Sequence, residues 1–372
     1  MNIGIPREIF TDERRVALSP DGVRSLVELG TTVYVEHSAG ERAGWKDGEY
    51  EQNGAVIVYS AEEVYRRSDL LFKVLSPTVQ ESAMMREELT LVSYLQLPLA
   101  RKEMFHNLVE RGITAIGLEN IQKPDGVHPV RRVMSEIAGA MAVHVAAHYL
   151  CAEHEGRGVL MGGIPGVPPA CVGIVGAGVV GASAAEKALD IGAQVILIDK
   201  RVNPLREAIR LLGRRLQTAV INEHNIEKLC RFVDVLIGAI LIEDYPTPHV
   251  VSRQMVRSMK PRSVIVDVSI DQGGSVETSR PTTLSHPTYV EEGVVHYAVP
   301  NMPASVPRTS TRGFQNQVLP FLYEIIRKGA KKAMLENPVL RSGLNLYEGK
   351  VARETIARAF HTSYEPIEEI LR

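Results

Sequence analysis

Gly176-Ala-Gly178-Val179-Val180-Gly181 separates an apolar run, residues 172–175, from a small-residue helical segment, residues 182–188. A second apolar run, residues 195–198, ends on Asp199. Strand, glycine turn, helix, strand and acid in that order suit a dinucleotide. The first glycine permits the tight turn, the second lets backbone approach a pyrophosphate, and the third lets the helix pack close to the strand. The helix N-terminus offers unpaired N–H groups and positive potential to the phosphates. Asp199 would accept from a ribose 2′-hydroxyl and repel a 2′-phosphate, which favours NAD, although Lys200 and Arg201 would partly offset that repulsion. The alternative is a tight turn with no ligand, and an acid at the expected offset speaks against it.

A second group of residues has the chemistry of a small-acid site. Ligands of open α/β sheets sit at the carboxyl ends of the strands. Lys73 lies late in the run Leu70-Leu-Phe-Lys-Val74, and Gln96 lies just past Tyr94. Asp271 follows the run 264–268, Asn301 follows the run ending at Val299, and Arg15 lies in the loop after the first strand. Arg15, Lys73 and Gln96 would face Asp271 and Asn301 across an interdomain cleft. An Arg for a carboxylate, a Lys for a carbonyl oxygen and an Asp for protons suit hydride transfer on an α-keto or α-amino acid. Lys73 would polarise the carbonyl or shuttle a proton, as lysines do when burial lowers their pKa. Plainer readings stand beside these. Arg15 follows Glu13 and Arg14, and from spacing alone it reads more readily as a solvated loop charge than as a ligand. Lys73 could pair with a structural carboxylate. Asp271, before Gly273-Gly274, and Asn301 could be turn formers. Asp267, inside an apolar strand, is a rival to Asp271 and reads more readily as a structural acceptor.

The elements that must position these residues alternate along the chain. After a first strand at Ile3-Gly-Ile5, Ser19-Pro20 caps and opens a helix whose stripe is Val23, Leu26, Val27 and Leu29, with Gly30 ending it. Strands are expected at 32–35, 55–58, 70–74, 91–94 and 113–116, and the alternation implies a parallel α/β sheet. A long apolar helix is expected from Met134 to Leu150, and the glycine-turn block then adds strands at 233–237, 264–268 and 294–299. A second long helix is expected from about Phe314 to Ala333. The remaining tail is too short for a domain and should return to the first. Two Rossmann-like, doubly wound α/β domains are therefore expected, joined by long helices: a discontinuous substrate domain, 1–128 with 307–372, and an inserted NAD domain, 129–306.

Composition agrees with a globular chain of about two domains. A net charge of −2 gives no electrostatic case for nucleic acid or an anionic membrane surface, and no apolar stretch is long enough to span a bilayer. The N-terminus lacks a signal-peptide layout. Cys151, Cys171 and Cys230 have no metal-ligand spacing and are expected as buried free thiols, as in a reducing cytoplasm. No metal is expected.

Several longer stretches carry a resemblance. They are Gly4-Ile-Pro-Arg-Glu8, Arg15-Val-Ala-Leu-Ser-Pro20, Met134-Ser-Glu-Ile-Ala-Gly139, residues 163–170, residues 267–274, residues 277–283, Asn301-Met-Pro303, residues 307–311 and residues 343–350. Over almost its whole length the chain resembles the alanine dehydrogenase family, which is related to the nucleotide-binding subunit of nicotinamide nucleotide transhydrogenase. The resemblance implies an NAD-dependent oxidoreductase assembled as a homohexamer, a trimer of dimers. It implies that Arg15 and Lys73 bind the substrate acid and that Asp271 acts in catalysis. It places Ser135, the glycine loop (Gly176, Gly178, Val179, Val180, Gly181), Asp199, Asn301 and Met302 around the cofactor. Two departures stand out. Where the family has Tyr-Leu-His, with the His as acid/base, this chain has Tyr94-Leu95-Gln96, and Gln cannot exchange a proton near neutral pH. Arg131-Arg132 replaces apolar residues before Met134-Ser135, which suggests a more anionic substrate or else a solvated loop pair. The sequence therefore points to an amino-acid oxidoreductase of altered substrate or activity; the rival is a catalytically silent NAD-binding homologue with a regulatory or scaffold role.

Overall fold

The computed structural model describes residues 1–241 and 247–372. They form two units, Met1–Met134 with Ala304–Arg372, and Ser135–Pro303, where 129–306 was expected for the inserted one.

The first unit opens with six parallel strands: β1 (Asn2–Ile5), β2 (Thr32–Glu36), β3 (Val56–Val58), β4 (Leu70–Phe72), β5 (Thr90–Ser93) and β6 (Thr114–Gly117). Their order is β6-β5-β4-β1-β2-β3. Chain direction across the sheet therefore reverses between β1 and β4, and a crevice at such a switch point is where open α/β sheets bind ligands. The helix Pro20–Val27 follows β1; Ser19 Oγ accepts from the Gly22 N–H at its start, as the Ser-Pro signature predicts.

The second unit contributes β7 (Cys171–Val175), β8 (Gln194–Asp199), β9 (Gln217–Val220), β10 (Val235–Gly238), β11 (Val264–Asp267), β12 (Thr288–Glu291) and β13 (Val294–Tyr297), ordered β12-β13-β11-β10-β7-β8-β9. All neighbours are parallel except β12 with β13. Here the switch point lies between β7 and β10. Both faces of β7 are covered, with Val172 and Ile174 in one core cluster and Cys171 and Val175 in another. That two-sided burial explains why the strand reads as a continuous apolar run rather than an alternating one.

The tail belongs to the first unit, as β14 (Leu344–Tyr347) and β15 (Lys350–Val351). It adds two antiparallel strands, β14 beside β6 and β15 at the sheet edge beside β14. Both sheets are mostly parallel, as expected, with antiparallel neighbours only at one margin of each. The first long helix is Pro129–Tyr149, five residues longer at its start than the apolar stripe shows, so Arg131 and Arg132 are helical rather than in a loop. The second is Pro307–Lys328, and Gly329 (φ 78°, ψ 155°) separates it from Ala330–Glu336. Cys171 and Cys230 are buried free thiols, whereas Cys151, just past the first long helix, is only half-buried. Among the described residues no helix is long and apolar enough to cross a membrane.

The glycine turn fits by close backbone approach. A Cβ on Gly181 would lie 1.8 Å from Gly176 O, and one on Gly176 (φ 109°) would lie 2.4 Å from Ala239 O, after β10. One on Gly178 would meet nothing within 4 Å. Gly181→Ala should lower stability by about 1–3 kcal/mol or more, because the obstructing atom is backbone, whereas Gly178→Ala should melt near the parent temperature. Thermal denaturation of the two variants side by side checks this; equal melting temperatures would mean that the helix can shift off the strand at little cost.

Candidate active site

The helix Val179–Ile191 starts at the glycine turn with Gly178 as N-cap and no side-chain cap, so its first N–H groups have no capping oxygen. That leaves donors and positive potential for an anion. Asp199, the last residue of β8 and only 8% exposed, is already engaged. Its Oδ2 accepts from the Ala177 N–H (2.8 Å) and its Oδ1 from the Arg201 N–H (2.7 Å). Each carboxylate oxygen accepts more than one hydrogen bond, so the acid can shape the turn and still accept from a ribose hydroxyl. Lys200 and Arg201 are exposed, and the Arg201 Nε lies 3.8 Å from Asp199 Oδ1. Val179 and Val180 form the first helical residues. The Met134-to-Gly139 stretch also has a packing reason. A Cβ on Gly139 would lie 2.3 Å from Val180 O, and Ser183 Oγ donates to Glu136 O (2.7 Å). The long helix is thereby seated on the nucleotide-turn helix, with half-buried Ser135 beside the crossing.

At the other end of β13, the Asn301 N–H donates to Asp271 Oδ1 (3.1 Å), so the structure joins these two expected site residues. Asn301 is left-handed (φ 55°), a conformation Asn tolerates. Asp271 is exposed on the 3-10 turn Val268–Gln272. Its rival Asp267 is buried and structural: it accepts from the Ser275 N–H and Oγ–H and from the Val276 N–H, with distances of 2.9–3.2 Å. Burial raises the Asp267 pKa, and these donors oppose the rise. Met302 is buried in the core of its unit.

On the first unit Arg15 and Lys73 sit after β1 and β4, the two strands that flank the switch point. Arg15 is not a solvated loop charge. It is 4% exposed, and its guanidinium grips Glu13 through Nε (2.7 Å) and a terminal nitrogen (2.5 Å), while the other nitrogen approaches Met134 Sδ (3.2 Å). Lys73, the first residue past β4, is 0% exposed. Its Nζ donates to Glu81 Oε1 (2.7 Å) and lies 3.5 Å from Glu8 Oε2. Burial alone would lower the Lys73 pKa, as expected from sequence; the charges of Glu8 and Glu81 outweigh it, and the net shift is upward. Lys73 is therefore a held ammonium.

Gln96 is exposed and left-handed (φ 45°, ψ 41°). Its N–H donates to Glu119 Oε1 (2.8 Å) and the Leu95 N–H to Glu119 Oε2 (3.0 Å), so one carboxylate clamps the turn that displays Gln96. Arg132 is exposed in the first turn of Pro129–Tyr149 and directly precedes Val133-Met134-Ser135. Sequence reasoning missed Glu119, Glu8, Glu13 and Glu81 as partners. Two of them had a local signal: Glu81 as N3 of the capping box that starts at Thr78, and Glu13 two residues before Arg15.

Two doubly wound α/β units, one with a dinucleotide turn, define a class of nucleotide-dependent enzymes. Residues 4–138 match the N-terminal domain, and residues 142–354 the C-terminal domain, of the alanine dehydrogenase/PNT family. The chain is 43% identical over 372 residues to an alanine dehydrogenase of Methanococcus maripaludis, covering all of both chains. A solved L-alanine dehydrogenase superposes with a TM-score of 0.92 at 41% identity, over 97% of this chain and 99% of that one. A transhydrogenase structure from Sinorhizobium meliloti gives 0.81 at 25% identity, over 95% and 99%. The chain belongs to the alanine dehydrogenase/PNT family.

The Glu119 clamp is testable. Glu119→Ala orphans the Leu95 and Gln96 N–H groups and should lower stability by about 2 kcal/mol. Glu119→Gln, which keeps one acceptor oxygen, should cost about half of that. Urea denaturation measures both; two variants as stable as the parent would show that these N–H groups find other acceptors.

Proposed function

We propose that this chain is an amino-acid dehydrogenase of the alanine dehydrogenase type, with divergent substrate preference or activity. As a family member it is an NAD-dependent oxidoreductase. The observation that carries the reading is the pair of buried cations, Arg15 and Lys73, at the switch point of the first unit. Two paired cations there suit a small acid with a neighbouring carbonyl or imine.

The second unit fits the cofactor: the uncapped helix at Gly178 would take the pyrophosphate, and Asp199 the adenosine ribose, with Ser135, Lys200, Asn301 and Met302 lining the remainder. Bound NAD supplies or accepts the hydride. Arg15 would hold the substrate carboxylate through the guanidinium edge that Glu13 orients. Lys73 would donate a hydrogen bond to the carbonyl oxygen. Asp271 would take the proton from attacking water or ammonia, and Gln96 would orient the substrate without exchanging a proton. Arg132, exposed one turn before Ser135, suits a second carboxylate on the substrate. Family resemblance supports a homohexamer. The one alternative with a specific observation behind it is a silent NAD-binding homologue, and that observation is Gln96.

Asp199→Ala should weaken NADH binding by about tenfold or more, as read by fluorescence titration; unchanged affinity would remove Asp199 from the site. In an assay of NADH, ammonia and a panel of keto acids, the parent should turn over pyruvate poorly. Gln96→His should raise that rate by roughly 10²-fold, the lower end of what a general acid/base contributes, and Arg132→Ala should change which acids are accepted. Parent turnover of pyruvate equal to that of the His variant would show that Asp271 or water handles the proton unaided. NADH binding without turnover by either protein would favour the silent homologue.

A further inference from the structure

Lys73 lies at the centre of a buried cluster whose charges are not equal in kind. Glu81 is fixed on every side. Its Oε1 accepts from Lys73 Nζ (2.7 Å) and the Tyr65 hydroxyl (2.8 Å), and its Oε2 accepts from the Thr78 N–H (2.7 Å) in a capping box. The helix Val79–Met84 thus carries the carboxylate as a rigid anchor. Glu8 is held less fully: Oε1 accepts from the Val74 N–H (2.7 Å), while Oε2 lies 3.5 Å from Lys73 Nζ with no closer partner among the described residues. Glu8 and Glu81 are each 3% exposed. An ammonium has three N–H donors. Glu81 takes one and Glu8 attracts a second, which leaves one for a ligand.

We propose that Glu81 is a positioning residue, which fixes the Lys73 ammonium as a permanent hydrogen-bond donor to a substrate oxygen. The inference rests on the reading above, in which Lys73 meets the substrate acid. It deepens that reading by separating binding from proton transfer. Were Lys73 to lose its proton, Glu81 and Glu8 would remain as buried carboxylates without a cation, a state strongly disfavoured in a low-dielectric interior. The neighbouring charges are consistent with this. Glu36, at the end of β2, adds a further negative charge and is held by the Arg7 N–H (2.9 Å), while Glu13 is engaged by Arg15. Burial raises the Glu8 pKa and the Lys73 charge opposes it; for Glu81 burial acts in the same direction, but Lys73 and its hydrogen bonds win and the net shift is downward. Glu81 is accordingly the ionised partner on which the ammonium depends. Tyr65 serves Glu81, not Lys73.

The test is the pH dependence of acid binding, measured calorimetrically on the full-length, NADH-saturated protein with pyruvate and 2-oxoglutarate as probes. Neither probe titrates in this range. The parent should bind with an affinity nearly constant from pH 6 to pH 9. In Glu81→Gln, which keeps the shape and an acceptor for the capping box, burial is opposed by one carboxylate fewer. Lys73 should lose its proton at lower pH, and affinity should fall at pH 9 by roughly tenfold for each unit by which its pKa comes to lie below 9, recovering towards the parent value at pH 6. Tyr65→Phe, which leaves the charge in place, should change affinity less than about threefold at any pH. Should Glu81→Gln fail to fold, Glu8→Gln removes a carboxylate without touching the capping box and should show a shift of the same sign. A parent that binds, with a variant whose profile is unmoved or is weakened equally at all pH values, overturns the positioning role alone. A parent that binds neither probe at any pH overturns this inference together with the proposed function.

Discussion

A charge leaves water only if another charge, well placed, goes with it. This constraint shapes the first unit. Arg15 and Lys73 are 4% and 0% exposed, beside the two strands where chain direction reverses. Each can be there only because carboxylates arrive from elsewhere: Glu13 from the same loop as Arg15, Glu8 from the end of β1, and Glu81 from the first turn of a helix. Breaking a buried pair by removing one partner typically costs about 3–5 kcal/mol. The loop after β1, the end of β4 and the helix Val79–Met84 are thus tied together by charge compensation as much as by apolar packing.

The second unit meets the opposite requirement, and it does so by leaving side chains out. Gly176, Gly181 and Gly139 stand where a Cβ would collide with backbone oxygen at 2.4 Å or less. Removing those atoms lets strand, turn and two helices close around a helix N-terminus with unpaired N–H groups. Two acids then tighten the surrounding loops: Asp199 binds the Ala177 and Arg201 N–H groups, and Asp267 gathers Ser275 and Val276. The substrate side, in the proposed reading, relies on buried charge, and the cofactor side relies on exposed backbone.

Proton handling follows from the same electrostatics. Glutamine at position 96 has no proton to exchange near neutral pH, and Lys73 is held charged by its carboxylates. In the proposed reading Asp271, exposed and joined to the Asn301 N–H, is left as the side chain to serve that step. The left-handed backbone at Gln96 shows that this position is still held in a specific conformation, since such a residue costs about 1–3 kcal/mol unless its surroundings impose it. Glu119 supplies that restraint through two N–H groups.

Features of short sequence range were legible without a structure. The glycine turn with its acid, the Ser19-Pro20 helix start and the apolar strand runs all follow from local rules of turn, cap and period. The edge strands β9, β12 and β15 did not stand out, because an edge is only partly covered and its residues need not be uniformly apolar; β14 is buried throughout, but Asn345 interrupts its apolar run. The start of the long helix at Pro129 was hidden for a similar reason: Arg131 and Arg132 interrupt the stripe. The states of Arg15 and Lys73 lay beyond sequence reasoning altogether. Burial pushes a lysine pKa down and a paired carboxylate pushes it up, and which wins depends on where Glu8 and Glu81 come to rest. Val74 meets Glu8 across 66 positions of chain, and Leu95 meets Glu119 across 24. No local pattern encodes such pairs; the sheet order sets them, because it brings the ends of β1, β4, β5 and β6 side by side.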